Sequence, residues 1–286
     1  MTRGRATLIG FGAVLLWALL ALLTVATGDV PPFQLTAICF GIGGALGLVW
    51  IVVGGKGCAV FAGLPAGVWT IGIGGLFGYH FFYFTALRLA PPAQASLIAY
   101  LWPLLIVLFS GLLPGERLRA GHVVGAVVAF VGAALVVLGP GAAFSVAHLP
   151  GYAAAGLCAL IWSGYSVLSR RMGSAPTATV AVFCLVTALL SAVAHLALEQ
   201  TVWPEGALAW GAMFALGAGP VGLAFYLWDV GVKRGDIQLL GTASYAAPLL
   251  STFVLIGAGY ARPSVALVLA ALLIAGGALI AARVRA

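Results

Sequence analysis

The chain reads ALRLAPPAQASLIAYLWPLL at residues 86–105 and, 145 residues later, GVKRGDIQLLGTASYAAPLL at residues 231–250. Both stretches carry a tyrosine, a proline and two leucines in the same register. The aligned pairs are Tyr100 with Tyr245, Pro103 with Pro248, Leu104 with Leu249 and Leu105 with Leu250. Because a proline inside a helix removes a hydrogen bond and bends the axis, the repeated motif predicts two bent helices in corresponding positions.

The same offset relates rare residues elsewhere in the chain. The further pairs are Trp17 with Trp162, Pro31 with Pro176, Cys39 with Cys184 and Arg117 with Arg262. Leucine, alanine and glycine matches arise by chance in an apolar sequence, whereas tryptophan and proline matches at one constant offset indicate a duplication. We therefore predict two homologous halves, residues 1–145 and 146–286.

The composition is that of an integral membrane protein. Hydrophobic residues make up 63% and charged residues 7%, and the mean hydropathy is +1.18; a soluble domain has about 25% charged residues. Each apolar run is long enough for a transmembrane helix and lacks the alternation of a barrel strand. The ten predicted spans are residues 6–27, 32–53, 65–88, 91–112, 119–139, 150–169, 177–198, 207–230, 236–257 and 264–282.

The basic residues predict the orientation of these spans. With the N-terminus inside, 11 of the 13 lysines and arginines fall on the inner side and two, Arg88 and Arg262, on the outer side. Such a bias fixes both termini in the cytoplasm. We therefore attribute the basic residues, and with them the net charge of +7, to the orientation of the helices. The sequence has no basic patch with interleaved aromatic residues, which is the pattern that would indicate nucleic-acid binding.

Five helices in each half predict that the second half enters the membrane the opposite way up. Arg117 then lies inside and its partner Arg262 outside, as inversion requires. Inverted repeats are typical of alternating-access transporters. Arg3 and Arg5 before an apolar run resemble a signal peptide, but the run 6–27 is longer than usual and its Trp17 has a counterpart in the second half. We therefore predict a retained first helix.

These features identify a resemblance to a known family. The ten spans, the duplicated tryptophan and the paired ASLIAYLWPLL and LGTASYAAPLL segments resemble the EamA-type branch of the drug/metabolite transporter superfamily. AYLWPL, with GDVPPFQLTAICF at residues 28–40, is similar to the members that export aromatic amino acids in bacteria. One departure is that the basic residue that commonly closes the first span is absent, whereas Arg170 and Arg171 close the sixth.

The resemblance implies ten helices around a central cavity, in two inverted five-helix repeats. It implies a secondary transporter of the bacterial inner membrane that exports aromatic amino acids and related planar or cationic compounds, functional as a monomer and without a cofactor. An exporter of other amino acids or drugs, and a channel, remain alternatives. An intramembrane enzyme is not expected, because Ser163-Gly164 is preceded by Ile161 rather than by the GxSG pattern. The four cysteines, Cys39, Cys58, Cys158 and Cys184, have no metal-ligand spacing.

The candidate cavity residues are aromatic or hydroxyl-bearing. The set is Trp17, Tyr79, His80, Tyr83, Tyr100, Trp102, Trp162, Ser163, Ser244 and Tyr245, with Phe225, Tyr226 and Trp228 as further walls. An indole near the centre of a span needs a partner for its N–H that lipid cannot supply. Aromatic walls suit planar or cationic substrates. Interhelical packing is the alternative interpretation for the tryptophans.

Two further roles follow from residue type. Pro103 and Pro248 are predicted hinges for alternating access, with static kinks as the alternative. Ionisable residues within spans are costly and usually functional, so His80 and Asp229 are the candidate coupling groups. For Asp229, local pairing with Lys233 is the favoured alternative, and His80 can instead be a neutral ring bonded to a neighbouring helix.

Overall fold

The computed structural model describes residues 1–55, 57–138 and 143–284. Lys56 and Arg285, which the orientation argument uses, and the side chain of Cys58 lie outside this description. The described residues form helices and no strands, as the composition predicts. The helices are α1 (Arg3–Trp17), α2 (Leu20–Ala26), α3 (Pro32–Val53), α4 (Ala66–Leu89), α5 (Pro92–Ala99), α6 (Trp102–Ser110), α7 (Ala120–Val137), α8 (Leu149–Arg171), α9 (Thr179–Leu198), α10 (Gly206–Ala218), α11 (Ala224–Arg234), α12 (Ile237–Ala243), α13 (Ala246–Gly257) and α14 (Val265–Arg283).

Nine helical stretches of the described chain are long and apolar enough to cross a membrane. They correspond to nine of the ten predicted spans. The remaining one, predicted at residues 65–88, is the helix α4, whose 24 residues suffice in length. Tyr79, His80 and Tyr83, together with its glycines, lower the hydropathy of α4 below that of these nine stretches. The chain is a multi-pass, all-helical membrane protein.

Both predicted proline kinks coincide with interruptions of the helix. The predicted span 91–112 is divided into α5 and α6, and 236–257 into α12 and α13. Pro103 is the second residue of α6 and Pro248 the third of α13. A proline fits the first turn of a helix, where its missing N–H leaves no bond unmade, so each new helix starts just before its proline.

Two other interruptions are absent from the sequence prediction. The predicted span 207–230 contains a π-helical turn, Gly219–Leu223, between α10 and α11. Pro220 explains it, because the missing N–H and the bulk of the ring disturb the regular ladder. The predicted span 6–27 is interrupted between α1 and α2, after Trp17, where no proline is present.

Small residues let pairs of helices from the two halves pack closely. A Cβ on Gly125 of α7 would lie 2.5 Å from the carbonyl oxygen of Gly277 of α14. One on Gly132 would lie 3.0 Å from the carbonyl oxygen of Ala270. The residue numbers rise along α7 as they fall along α14, so the two helices are antiparallel. Close approach through glycine is the usual packing of transmembrane helices.

The helices α1 and α11 form a second antiparallel pair between the halves. The backbones touch at Gly10 and Gly231, where a Cβ would lie 2.7 Å from the opposite Cα. Further along, Trp17 contacts Pro220 of the π-helical turn. The pairs α3 with α9 and α4 with α8 also join the halves. The main core, which includes Phe40, Trp162 and Phe225, lies where these pairs meet.

Candidate functional site

Four tryptophans from four helices form an aromatic cluster in the main core. Trp17 (α1), Trp102 (α6), Trp162 (α8) and Trp228 (α11) contact one another in all six combinations, with ring centroids 5.1–6.3 Å apart. We call this set the tryptophan cluster. Three members are predicted cavity residues, and the fourth, Trp228, is a predicted wall. The cluster joins both halves of the chain, since two of its rings come from each.

The interrupted helices hold the tryptophan cluster together. The indole N–H of Trp17 donates to the carbonyl oxygen of Pro220, in the π-helical turn, at 3.1 Å. Trp228 donates to the hydroxyl of Ser166 at 3.1 Å. Trp102 is the first residue of α6, directly after the interruption. Both indole donors therefore have partners, as the sequence analysis requires of a tryptophan away from the membrane surface.

Tyr79 and Tyr83 of α4 extend the tryptophan cluster. The ring of Tyr79 lies 5.3 Å from that of Trp162, and it stacks on Tyr83 at 6.0 Å with an interplanar angle of 3°. The hydroxyl of Tyr83 is 3.3 Å from that of Ser96. Three of the predicted tyrosine and tryptophan positions thus make one continuous row of rings and hydroxyls.

His80 lies beside this row, between apolar rings. Its ring centroid is 4.9 Å from Phe40 and 6.2 Å from Phe225. Nδ1 is 2.8 Å from the carbonyl oxygen of Leu76 in the same helix. Because a carbonyl only accepts, Nδ1 carries the proton and Nε2 of a neutral ring is an acceptor. The hydrogen bond is thus within α4 rather than to a neighbouring helix.

Three predicted cavity residues use their hydroxyls on backbone groups. Ser163 donates to the carbonyl oxygen of Ala159 at 2.7 Å, and Ser244 to that of Leu240 at 2.8 Å. The hydroxyl oxygen of Tyr245 accepts the N–H of Leu104 at 3.0 Å. Such bonds are the usual way in which a polar group is satisfied within a helical bundle. The structure does not direct these groups at the tryptophan cluster.

Tyr245 belongs to a separate core cluster. Its ring lies 5.8 Å from Phe130, and it packs with residues of α7 and α14. Leu104 follows Pro103 in the first turn of α6, where backbone N–H groups lack partners within the helix. Tyr245 of the second half thus holds the start of α6 in the first half. Tyr100, at the corresponding position, is partly exposed.

Asp229 is paired locally. Its carboxylate lies 2.8 Å from Nζ of Lys233 and accepts a hydrogen bond of 2.7 Å from Thr177. Lys233 also donates to the carbonyl oxygen of Ala175 at 3.0 Å. Both charged side chains are buried, so the pair ties α11 to the segment before α9. This is the pairing that the sequence analysis favours.

Polar contacts also gather at the two ends of the helical bundle. At the end where α3 begins, the Glu199 carboxylate accepts from the guanidinium of Arg88 at 2.6 Å and from the N–H groups of Phe33 and Gln34 at 3.1–3.2 Å. Nδ1 of His195 lies 3.0 Å from it. We call this the Glu199 network. A carboxylate at a helix N-terminus is favoured by the unpaired N–H groups and the helix dipole.

At the opposite end, where α1 begins, Glu116 is the centre of a second network. Its carboxylate pairs with Arg170 and, at 3.2 Å, with Arg3. Arg3 also reaches Asp236 at 3.1 Å. Arg170 donates to the carbonyl oxygens of Val232 and Gly235 at 2.9 and 2.8 Å. This Glu116 network joins α1, α8 and the segments before α7 and α12.

Sequence reasoning missed both networks. Glu116 and Glu199 lie outside the predicted spans and Asp236 is the first residue of one, and acidic residues carry no orientation signal. Apart from His195, which precedes Glu199 by four residues, their ion-pair partners are between 54 and 233 residues away along the chain. The one available signal is that each acid lies in a short connection that also carries, or faces, a basic residue.

Comparison with known proteins agrees with this architecture. A model of the EamA-like transporter family matches residues 4–138 and again residues 149–283. The chain is 59% identical over 284 residues to a protein of Ancylobacter novellus named aromatic amino acid exporter YddG, covering 98% of each. It is 28% identical to the protein of that name from Salmonella typhimurium and 26% to that from Escherichia coli, over 88% of each chain. A solved crystal structure with 58% identity superposes with a TM-score of 0.94, covering 98% of both chains.

Proposed function

Because this chain belongs to the EamA-like transporter family, we propose that it is a secondary transporter that exports aromatic amino acids and related planar or cationic compounds. The observation that carries the proposal is the 59% identity, over 98% of both chains, to a protein named as an aromatic amino acid exporter. The tryptophan cluster adds support, since a planar side chain that entered among these largely buried rings would meet their faces and edges. Each aromatic contact contributes about 0.5–1.5 kcal/mol beyond the burial of area.

The proposed architecture is ten helices in two inverted repeats, residues 1–145 and 146–286. Support comes from the two family matches, whose bounds differ by 145 residues. The offset also relates contacts between the halves. Gly132 corresponds to Gly277 and Ala270 corresponds to Gly125, so the contact of Gly132 with Ala270 has its counterpart in the contact of Gly277 with Gly125. Because the two helices of this pair are antiparallel, the operation that exchanges them reverses their direction. An inverted pair of repeats has this property.

The proposed binding residues are those whose side chains join the tryptophan cluster. Trp17, Trp102 and Trp162 would contact the aromatic side chain, and Tyr79, Tyr83, His80 and Tyr100 would supply hydroxyls and ring nitrogens. Ser163 and Ser244 already donate their hydroxyl protons to backbone carbonyls, so each could only accept from a substrate, whereas the Tyr245 hydroxyl accepts from Leu104 and could still donate. Nε2 of His80, like the tyrosine hydroxyl oxygens, is an acceptor, which suits a donor such as an ammonium or an indole N–H.

In alternating access, the two ends of the helical bundle would open in turn. The Glu116 network and the Glu199 network are the contacts that would close them. We infer that the Glu116 network closes the cytoplasmic end, since the distribution of 11 basic residues against two favours a cytoplasmic N-terminus. The Glu199 network would lie on the outer side of a bacterial inner membrane. The interruptions before Pro103 and Pro248 are the proposed hinges. His80 is the favoured coupling candidate, because Asp229 already has two partners.

Flux measurements in proteoliposomes test the function. Vesicles loaded with labelled phenylalanine, tryptophan or tyrosine should lose them through a saturable path that competing aromatic amino acids inhibit. External substrate should accelerate the loss by exchange, which a channel does not do. If small polar amino acids move while aromatic ones neither move nor compete, the protein exports other compounds. An imposed pH gradient that leaves the flux unchanged would remove His80 and Asp229 as coupling groups.

A further inference from the structure

A polar cavity lies at the same end of the molecule as the Glu116 network. Its volume is about 180 Å³, and it is formed by the start of α1, the connection before α7, the start of α12 and the end of α14. Its polar lining consists of Arg3, Glu116, Arg117, His122, Asp236 and Gln238. The cavity is separate from the tryptophan cluster, and of its polar residues only Gln238 can be singled out from the sequence, as a side chain able to bind the charged head of an amino acid.

Several of these side chains are buried and fixed by the fold. His122, in the first turn of α7, is 6% exposed, and its Nδ1 accepts the N–H of Arg119 at 3.3 Å. Because Nδ1 is an acceptor, the proton of the neutral ring is on Nε2, which is a donor. Gln238 is 3% exposed and donates to the carbonyl oxygen of Arg117 at 3.3 Å. Glu116 is held by the two arginines of its network.

The lining carries both signs of charge. Glu116 and Asp236 are acceptors for a cation, and Arg117 with Nε2 of His122 supplies donors for an anion. A ligand with a single charge would be attracted by one group and repelled by the other, whereas a zwitterion satisfies both. The volume corresponds to about six waters at 30 Å³ each, well below the 300–1,000 Å³ of pockets for drug-sized ligands. It therefore suits the charged head of an amino acid rather than a whole aromatic one.

We propose that this cavity is a loading site that binds the α-ammonium and α-carboxylate groups of an amino acid at the cytoplasmic end. The carboxylate meets Arg117 and Nε2 of His122, and the ammonium meets Asp236 and Glu116. The inference deepens the proposed function and rests on it for the nature of the cargo and for the orientation of this end.

Occupation of the cavity has a consequence for the Glu116 network. Arg3 is 43% exposed at its side chain and is paired with both Glu116 and Asp236. An ammonium group bound at these carboxylates competes with Arg3, whereas Arg170 retains Glu116 from the far side. Loading therefore releases the start of α1, the helix that carries Trp17. The cavity thus connects recognition of the head group to a helix of the tryptophan cluster.

The test is binding of labelled L-alanine to the purified full-length chain, since alanine has the amino acid head group and almost no side chain. Wild type should bind alanine, while propionate and ethylamine, which carry one charge each, should compete at least about tenfold more weakly. The double variant Arg117→Gln/His122→Gln should bind alanine at least about tenfold more weakly, as expected for the loss of one or two charge-assisted hydrogen bonds.

Two controls separate loss of the ligand site from loss of the fold. Arg5→Gln removes an exposed positive charge at the same end without altering the cavity, and it should bind alanine as wild type does. Arg117→Lys combined with intact His122 retains a cation and should bind within about threefold of wild type, in keeping with the small worth of a single exposed charge. Tryptophan fluorescence reports whether each variant is folded.

The proposal is overturned if wild type does not bind alanine, if the double variant binds it unchanged, or if propionate binds as tightly as alanine. Phenylalanine flux in proteoliposomes made from the same preparations separates the two proposals. Phenylalanine flux without alanine binding would show that the loading site is wrong and leave the proposed export function standing. Alanine binding without any aromatic flux removes the proposed function and leaves a head-group site in a transporter of other amino acids.

Discussion

Tyr100 and Tyr245 occupy the same position in the two halves of the chain, yet they differ in their surroundings. Tyr245 is fully buried, and its hydroxyl oxygen accepts the N–H of Leu104 across the interface between the halves. Tyr100 is partly exposed at the interruption between α5 and α6. A duplication supplies two copies of a residue, and the packing decides which of them stabilises the bundle and which is available for a ligand.

The same contrast applies to the basic residues that end α4 and α11. Arg88 and Lys233 align at the offset of 145 residues. The side chain of Arg88 is 42% exposed and that of its partner Glu199 3% exposed, while the side chains of Lys233 and Asp229 are 5% and 1% exposed. Both acids are buried, so the two pairs differ in the exposure of the base. Water screens a charge such as that of Arg88, and a screened pair is worth about 0–1 kcal/mol, whereas removal of one partner of a fully buried pair costs about 3–5 kcal/mol.

Lys233→Gln should therefore have the largest effect on stability, about 4 kcal/mol, because the carboxylate of Asp229 is left buried without a cation. Arg88→Gln is the matched control and should cost less than about 1 kcal/mol, since Glu199 keeps His195 and two backbone N–H groups. Thermal unfolding in detergent, followed by tryptophan fluorescence, compares the two. Equal losses of stability in Lys233→Gln and Arg88→Gln would show that the burial of the base does not distinguish the two ion pairs. Lys233→Gln/Asp229→Asn should recover part of the loss.

Tyr245→Ala should come next, at about 3 kcal/mol, because it leaves a cavity in the cluster with Phe130 and removes a backbone partner. Tyr100→Ala should unfold within about 1 kcal/mol of wild type and lose aromatic amino acid flux. The two measurements, unfolding and flux, should thus separate the aligned tyrosines. Wild-type flux in Tyr100→Ala would remove Tyr100 from the binding set.

The aligned tryptophans extend the comparison to transport. Trp17 is partly buried and Trp162 buried, and their rings are 5.9 Å apart in the tryptophan cluster. Trp17→Ala should lower phenylalanine flux at least about tenfold, which corresponds to about 1.4 kcal/mol or one to two aromatic contacts. Trp17→Phe retains a ring face and should recover part of the flux. Full flux in Trp17→Ala at normal expression would mean that the indole only packs.

Much of the fold could be predicted from the sequence, because hydropathy, charge bias and the offset of 145 residues can be read without knowing which side chains meet in the fold. The interruptions at Pro103 and Pro248 were predictable for the same reason. The site was predictable only in part. Trp17, Trp102 and Trp162, which are predicted to line one cavity, lie in contact with one another. The hydrogen-bond partner of an indole depends on long-range contacts, such as that of Trp17 with Pro220 at a separation of 203 residues.

Other features could not be predicted, because they depend on contacts between segments that are distant in the sequence. The interruption after Trp17 lacks a local signal, and the roles of Tyr100 and Tyr245 differ although their local sequences are alike. Only the packing of α7 and α14 around Tyr245 distinguishes them. The Glu116 and Glu199 networks depend on which loops meet at each end, and loop charges taken singly do not indicate this.

Tyr245→Phe tests the hydrogen bond alone and should destabilise the protein less than Tyr245→Ala. It keeps the ring against Phe130 and removes the oxygen that accepts the N–H of Leu104, which should cost about 1–2 kcal/mol because a buried donor is left unpaired. Tyr100→Phe should be neutral in unfolding. If the tie between Tyr245 and α6 also restrains the hinge, Tyr245→Phe should change the rate of phenylalanine exchange while leaving its half-saturating concentration unchanged. An unchanged exchange rate together with reduced stability would assign the tyrosine hydroxyl to the fold alone, and the difference between the two halves would then be one of stability rather than of transport.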